Sequence, residues 1–350
     1  MTRDLAVVPN SVVDRQGQPR FGTFRGELPA VSFRELSGDW EPSWWQWPAR
    51  RKRWNYGIAV TDEVLLCQAV VQGGYFGQAF TYVVDLYEER AVAELKFTGA
   101  PEVQAHVNDR PSRGHMSAFR TAGAALETSR DPAGGAFRWT SRIGAVHHRE
   151  PGGIELDARL GVEPVAPALT LISPVEDGGL LNVTQKWAGL PLEGDLRVGT
   201  RTYRLDGGLG AMDYTQGILA RRTTWRWALA LGRLFDGRSV GINLVEGFNE
   251  GREDTNENAL WVGDRLIPLG RATFEFDRDH PDRLWSLTTE CGTVELYFWP
   301  YHVYRDVRRW KIIDSWFIQP AGRFEGRLRI DDQTHEVSLY GVTEDQDILW

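Results

Sequence analysis

Asp213 ends a glycine-rich segment, GGLGAMD, and an apolar run carrying Trp225 and Trp227 follows it closely. A carboxylic acid walled in by indoles is desolvated, which favours its neutral form and makes a proton donor available near neutral pH. Such an acid suits protonation of an isolated double bond or activation of a hydroxyl leaving group. Asp213 is therefore the candidate catalytic residue. Tyr214, Trp225, Trp227, Asn243, Glu246, Glu257, Asn258 and Trp261 are the candidate ligand-binding residues. A structural role competes for Asp213: capping of the Gly208–Gly210 turn, or an ion pair to Arg221 or Arg222.

Strand geometry sorts these candidates. Trp225 and Trp227 are two apart and share a face, with Ala228 and Ala230 on the other. As a cavity wall, the indoles would hold a developing cation by about 1–2 kcal/mol; as plain packing, they would join two domains. Asn243 and Glu246 lie on opposite faces of VGINLVEG, and Asn243 is the better inward candidate, since a buried carboxamide needs partners. Glu257 and Asn258 sit at the end of the acidic loop EGREDTNEN, where strand capping competes with ligand binding. Trp261 is expected beside Trp227.

Short runs rich in β-branched and aromatic residues, broken by Gly, Pro and Asp clusters, position these side chains. WNYGIAV, VLLCQAVV, AFTYVVDLY, AFRWTSRIG and IELDARLGV are such runs. Helical periodicity is confined to a turn or two near Ser173–Gly178, so the class is all-β. The chain also repeats itself. EGDLRVGTRTYRLDGGLGAMD resembles EGRLRIDDQTHEVSLYGVTE, with Asp213 falling onto Glu344, and the run from Trp54 resembles the run from Trp225. The expectation is an internal duplication giving two tandem antiparallel β-barrels or half-barrels, over residues 51–213 and 214–350. Residues 1–50, punctuated by prolines, form an irregular arm pinned by Phe21, Phe24, Leu28, Val31 and Phe33.

Composition narrows the function. The chain has 350 residues and a formal charge of −8, which opposes nucleic-acid binding unless a local basic stripe overrides it. The one such stripe, Arg50–Arg53, reads as a solvated strand entry, with peripheral contact to acidic headgroups as the alternative. Cys67 lies in an apolar run and Cys291 in a turn, and no disulfide framework is possible. His106, His115, His147 and His148 lack metal-ligand spacing, and no cofactor motif appears, so neither metal nor cofactor is expected. No apolar run approaches the ~20 residues of a spanning helix, and no secretory signal is apparent. The expectation is a cytoplasmic monomer or homodimer.

The segments GLGAMD, Trp225-x-Trp227, Gly241-Ile242-Asn243-Leu244, Glu257-Asn258-x-x-Trp261, KRWNYGI and the terminal FEGRLRIDD…VSLYGVTE together resemble the bacterial family called domain of unknown function 2804. More remotely, Asp213 and the following tryptophan strand are similar to the tandem lipocalin-like (calycin-type) barrels of AttH proteins and carotenoid hydratases. The His and Trp that flank the aspartate there are replaced by Tyr214, Thr215 and Gln216. The resemblance implies a lipocalin-like fold and a Trp-lined pocket for an apolar small molecule such as an isoprenoid, lipid or polyketide. Acid-catalysed hydration, isomerisation or cyclisation would then fall to Asp213. A non-catalytic lipid carrier and a carbohydrate-binding or glycoside-acting protein are the alternatives.

Overall fold

The computed structural model describes residues 4–144, 153–162, 167–250, 252, 254–309 and 314–350. The period-two pattern becomes strands almost throughout. Phe137–Ile143 and Ile154–Leu160 bury every second side chain, because successive side chains of a strand leave opposite faces. The helical turn expected near Ser173–Gly178 is not formed. There the chain ends a strand and turns through Asp177 and Gly178, both at positive φ (55° and 83°), a conformation that breaks a helix.

The N-terminal arm holds β1 (Ala6–Val7), β2 (Gly22–Arg25) and the short helix α1 (Gln46–Arg50). A meander follows: β3 (Arg51–Val60), β4 (Val64–Gln72), β5 (Gly77–Asp85) and β6 (Arg90–Gly99). Next come β7 (Ala105–Val107), β8 (Met116–Thr121), β9 (Ala124–Arg130), β10 (Phe137–Ile143) and β11 (Ile154–Leu160). Four more complete the first sheet: β12 (Leu169–Pro174), β13 (Leu181–Val198), β14 (Arg201–Arg204) and β15 (Leu209–Ile218). The main path of this sheet runs β6-β5-β4-β3-β15-β13-β11-β10-β9-β8-β7.

The second sheet opens with its own meander, β16 (Arg222–Arg233), β17 (Ser239–Glu246), β18 (Ala259–Val262) and β19 (Arg265–Pro268). It continues through β20 (Ala272–Glu275), β21 (Trp285–Thr289), β22 (Val294–Arg309), β23 (Asp314–Ile330) and β24 (Gln333–Leu349). Its order, β19-β18-β17-β16-β24-β23-β22-β21-β20, follows the same plan as the first sheet. In each, the first strand of the meander pairs with the last strand of the unit. The protein is thus two sheets, antiparallel apart from the short parallel β1–β2 pairing of the arm, one a nearly closed barrel and the other a half-barrel.

Three apolar clusters hold this together. One fills the first barrel and includes Trp139, Trp187 and Tyr214, and takes in Leu28, Val31 and Phe33 of the arm. Another fills the second unit around Trp285, Phe298 and Phe324. The third lies between the two sheets and draws on both, with Tyr56, Ile58 and Tyr82 meeting Trp227, Trp261 and Tyr304. Close approach at that layer depends on a bulge in β13 at Gly189, where φ is +77°. Gly241 of β17 lies against it, and a Cβ there would come within 2.5 Å of the Ala188 Cβ.

The basic stripe is not a solvated strand entry. Arg51 pairs with Asp109 at 2.6 Å, and Arg53 with Glu102 at 2.5 Å and Asp109 at 3.2 Å. Lys52 is buried among the rings of Tyr75, Phe76 and Trp350. Acidic residues of the same barrel and an aromatic cage occupy the positions that solvent was expected to fill.

Candidate active site between the two sheets

Five strands change character along the face they turn toward the inter-sheet layer. On β15 that face reads Leu209, Ala211, then Asp213 and Thr215. On β13 it reads, from the opposite end, Ala188, then Lys186, Thr184 and Asn182. On β24 it passes from Val342 to Glu344 and Gln346, while β3 and β16 pass from aliphatic residues to Tyr56 and Trp54, and to Trp227 and Trp225. Where aliphatic packing gives way to polar and aromatic side chains, a cavity of about 100 Å³ opens, lined by all of these polar and aromatic residues.

One wall is an ion cluster. Lys186 Nζ lies 3.1 Å from Asp213 Oδ2 and 3.1 Å from Glu257 Oε2, and all three side chains are at most one-tenth exposed. Lys186 sits directly opposite Asp213 in the β13–β15 register, so the pair is fixed by strand pairing. Thr184 and Thr215 donate to Asp213 Oδ1 at 3.1 and 3.4 Å. Asn249 donates to Glu257 Oε1 at 2.6 Å and is itself held by Ser173. Burial disfavours the Lys186 charge, but the two carboxylates outweigh it and raise its pKa above the ordinary lysine value. One ammonium between two carboxylates leaves the cluster with a net charge of about −1. The ammonium also lies 5.3 Å from the centre of the Trp227 ring.

The facing wall carries Glu344. Trp225 Nε1 donates to its Oε1 at 2.6 Å and Gln319 Nε2 to its Oε2 at 2.7 Å. Gln319 cannot turn its amide around freely, because Tyr82 donates to its Oε1 at 2.6 Å. Tyr56, at 3.4 Å from the same oxygen, also donates to Cys67 Sγ at 2.9 Å. No salt-bridge partner reaches Glu344 among the described residues. Burial pushes its pKa up to about 7, aided by the charge of Asp213 and opposed by the Trp225 and Gln319 hydrogen bonds and the more distant Lys186. The two carboxyls differ through their strand neighbours: Asp213 has a lysine on β13, Glu344 a glutamine on β23. Burial thus favours the protonated form of Glu344, and the side chain borders the cavity.

The family model for the domain of unknown function called DUF2804 matches residues 4–350. The chain belongs to this family. A search of curated proteins by sequence finds no match. Among solved structures, kievitone hydratase from Nectria haematococca superposes with a TM-score of 0.53 at 12% identity, covering 99% of this chain and 98% of that one. The protein CghA, in complex with Sch210972, gives 0.52 at 10% identity over 98% and 97%. An AttH-like protein of Nitrosomonas europaea gives 0.51 at 12% identity over 85% and 92%. These likenesses show the lipocalin-like fold.

Of the residues singled out from sequence, this DUF2804 protein brings Asp213, Trp225, Trp227 and Glu257 to one cavity. Asp213 is not the unpartnered acid that tryptophan walls alone suggested, since the ammonium of Lys186 is bonded to it. Asn243 stands one layer back, accepting from Trp227 Nε1 at 2.7 Å and donating to the Glu257 carbonyl at 2.8 Å. The remaining four point elsewhere. Tyr214 leaves the opposite face of β15 and donates to the Asn108 carbonyl inside the first barrel. Glu246 pairs with Arg226 at 3.0 Å. Asn258 accepts from the Val245 N–H and donates to the Gly270 carbonyl, closing a strand end. Trp261 joins Trp227 in the inter-sheet cluster, but its indole donates to the Pro167 carbonyl.

Residues that sequence reading passed over complete the site: Asn182, Thr184, Lys186, Thr215, Asn249, Gln319 and Tyr56. The alternation Asn182-Thr184-Lys186 beside Leu181, Val183 and Trp187 was the available signal, a polar face on a strand whose other face is largely core. Among the described residues no three His, Cys, Asp or Glu side chains converge as metal ligands, and His147 and His148 lie outside those residues. No helix among them is long and apolar enough to cross a membrane.

Proposed function

We propose that the inter-sheet cavity binds a small, mostly apolar molecule of isoprenoid, lipid or polyketide type and that Glu344 protonates it. The observation carrying this reading is a buried glutamic acid, poised near pKa 7, on a wall shared with Trp54, Tyr56, Trp225 and Trp227. An acid with a pKa near the working pH is both present in its protonated form and strong enough to give the proton away.

The first step transfers the Glu344 proton to a double-bond carbon, or to a hydroxyl that departs as water. The cationic carbon that results faces the stacked rings of Trp54 and Trp225, 5.9 Å apart, and the net negative Lys186–Asp213–Glu257 cluster. Indole faces and net negative charge both favour a cation. Water adding to that carbon completes a hydration, its spare proton passing to Asp213 or Glu257. Removal of a neighbouring C–H proton by the same carboxylates completes an isomerisation. Attack by a second double bond closes a ring and moves the cation to that bond, and loss of a neighbouring C–H proton to the same carboxylates then completes a cyclisation. A hydratase among the proteins sharing this fold supports the first outcome. The common strand plan of the two sheets supports an internal duplication; because β15 of the first unit runs on to Ile218 and β16 of the second begins at Arg222, the boundary falls between those residues and not at 213.

Incubation with a panel of isoprenoid alkenes and allylic alcohols in H₂¹⁸O and D₂O tests the reading. A hydratase places ¹⁸O in the product and an isomerase places deuterium on carbon. Tight binding with every panel member recovered unlabelled would make the protein a carrier and contradict the proposal.

A further inference from the structure

A second cavity, of about 290 Å³, adjoins the first, and the two share Val71, Phe80, Phe317, Gln346 and Trp350 as a partition. One side of that partition is held firmly. Trp350 Nε1 donates to Thr223 Oγ1 at 2.7 Å, and Trp350 stacks on Phe76 above the Lys52 ammonium. On the other side Phe317 meets Phe80 and Tyr304 through ring packing alone. Phe317 is only partly buried.

The walls of the second chamber are apolar at Phe76, Ile348 and Leu349, but Asp306 and Arg308 also line it. Asp306 is saturated: Lys96 Nζ and Arg308 Nε (3.1 Å) bond its Oδ1, and Gln78 Nε2 bonds its Oδ2 at 3.1 Å. Two cations share one carboxylate, leaving an excess of about one positive charge. The Nη atoms of Arg308 have no partner among the described residues, and the side chain is 38% exposed. A planar guanidinium with free N–H groups beside an apolar chamber fits one carboxylate, which would bring the local charge to zero.

We propose that the second cavity is the carboxylate-binding compartment of a two-part site. The substrate is then an apolar chain with a single carboxylate at one end. Arg308, supported by Lys96, takes that carboxylate, and the chain passes Phe317 into the chamber bordered by Glu344. This rests on the reading of the first cavity as the reactive one, but binding alone tests it, whether or not Glu344 gives up a proton.

Titration of the full chain with dodecanoic acid and with dodecanol, followed by tryptophan fluorescence and calorimetry at pH 8, supplies the test. The acid is expected to bind at least tenfold more tightly than the alcohol. Arg308→Gln should remove most of that difference while leaving the alcohol unchanged, and Arg308→Lys should restore part of it. Ser315→Trp, which fills the second chamber, should weaken both ligands more than tenfold. Equal binding of acid and alcohol by the unaltered protein, failure to bind either, or an acid preference that survives Arg308→Gln would each overturn the proposal.

Discussion

Replacing Glu344 by glutamine lowers turnover by about 10²–10⁴-fold, the usual range for loss of a general acid, and leaves ligand affinity within a few-fold. The amide fills the same volume but has no proton to give. With the acid in place, the rate is level at low pH and falls as pH rises through about 7, because only protonated Glu344 acts. The variant's residual rate lacks that falling limb. Stability carries a second signature. The folded-state pKa is raised, so between its ordinary 4.5 and about 7 the folded chain holds a proton that the unfolded chain has lost. Stability therefore declines as pH rises through that window, by up to about 3 kcal/mol. Urea unfolding should show the glutamine variant gaining on the parent from pH 5 to pH 8. A rate that keeps both its size and its pH limb after the substitution would place the acid elsewhere.

Lys186→Met removes the one ammonium that Asp213 and Glu257 share, and leaves two buried carboxylates facing each other. Removing one member of a buried ion cluster costs about 3–5 kcal/mol, because the uncompensated charge stays behind in a poor solvent. The triple variant Lys186→Met, Asp213→Asn, Glu257→Gln removes the charges together and should recover most of that loss. Urea denaturation at pH 8 measures both. The partners raise the Lys186 pKa above its ordinary 10.5, so its contribution is intact across neutral pH and is lost only in strongly alkaline solution. A loss below about 1 kcal/mol in the single variant, typical of exposed pairs, would mean that water screens the cluster.

Much of the framework was legible in the residues themselves. Period-two runs and turn clusters indicated strands, and parity put Trp225 and Trp227 on one face, where the structure has them. The same parity, applied to Asp213 and Tyr214, places them on opposite faces and removes Tyr214 from the site. The partner of Asp213 was harder to see. Lys186 reaches it through an antiparallel register that no local pattern specifies, and Glu257 arrives from the loop that leads into β18 of the other sheet. The repeat had already aligned Asp213 with Glu344, but the chemistry of each depends on a side chain one strand away. A lysine there makes an ion pair; a glutamine leaves burial to set the proton affinity. That difference lies in tertiary contacts, which tryptophan content and strand parity do not specify.

The protonation state of Glu344 is most directly read by ¹³C NMR of protein labelled at glutamate side-chain carboxyls, with Glu344→Gln identifying the resonance. The prediction is a carboxyl titrating near pH 7, well apart from the surface glutamates. A Glu344 resonance that titrates with them, near its ordinary value of 4.5, would contradict the assignment of this residue as the acid.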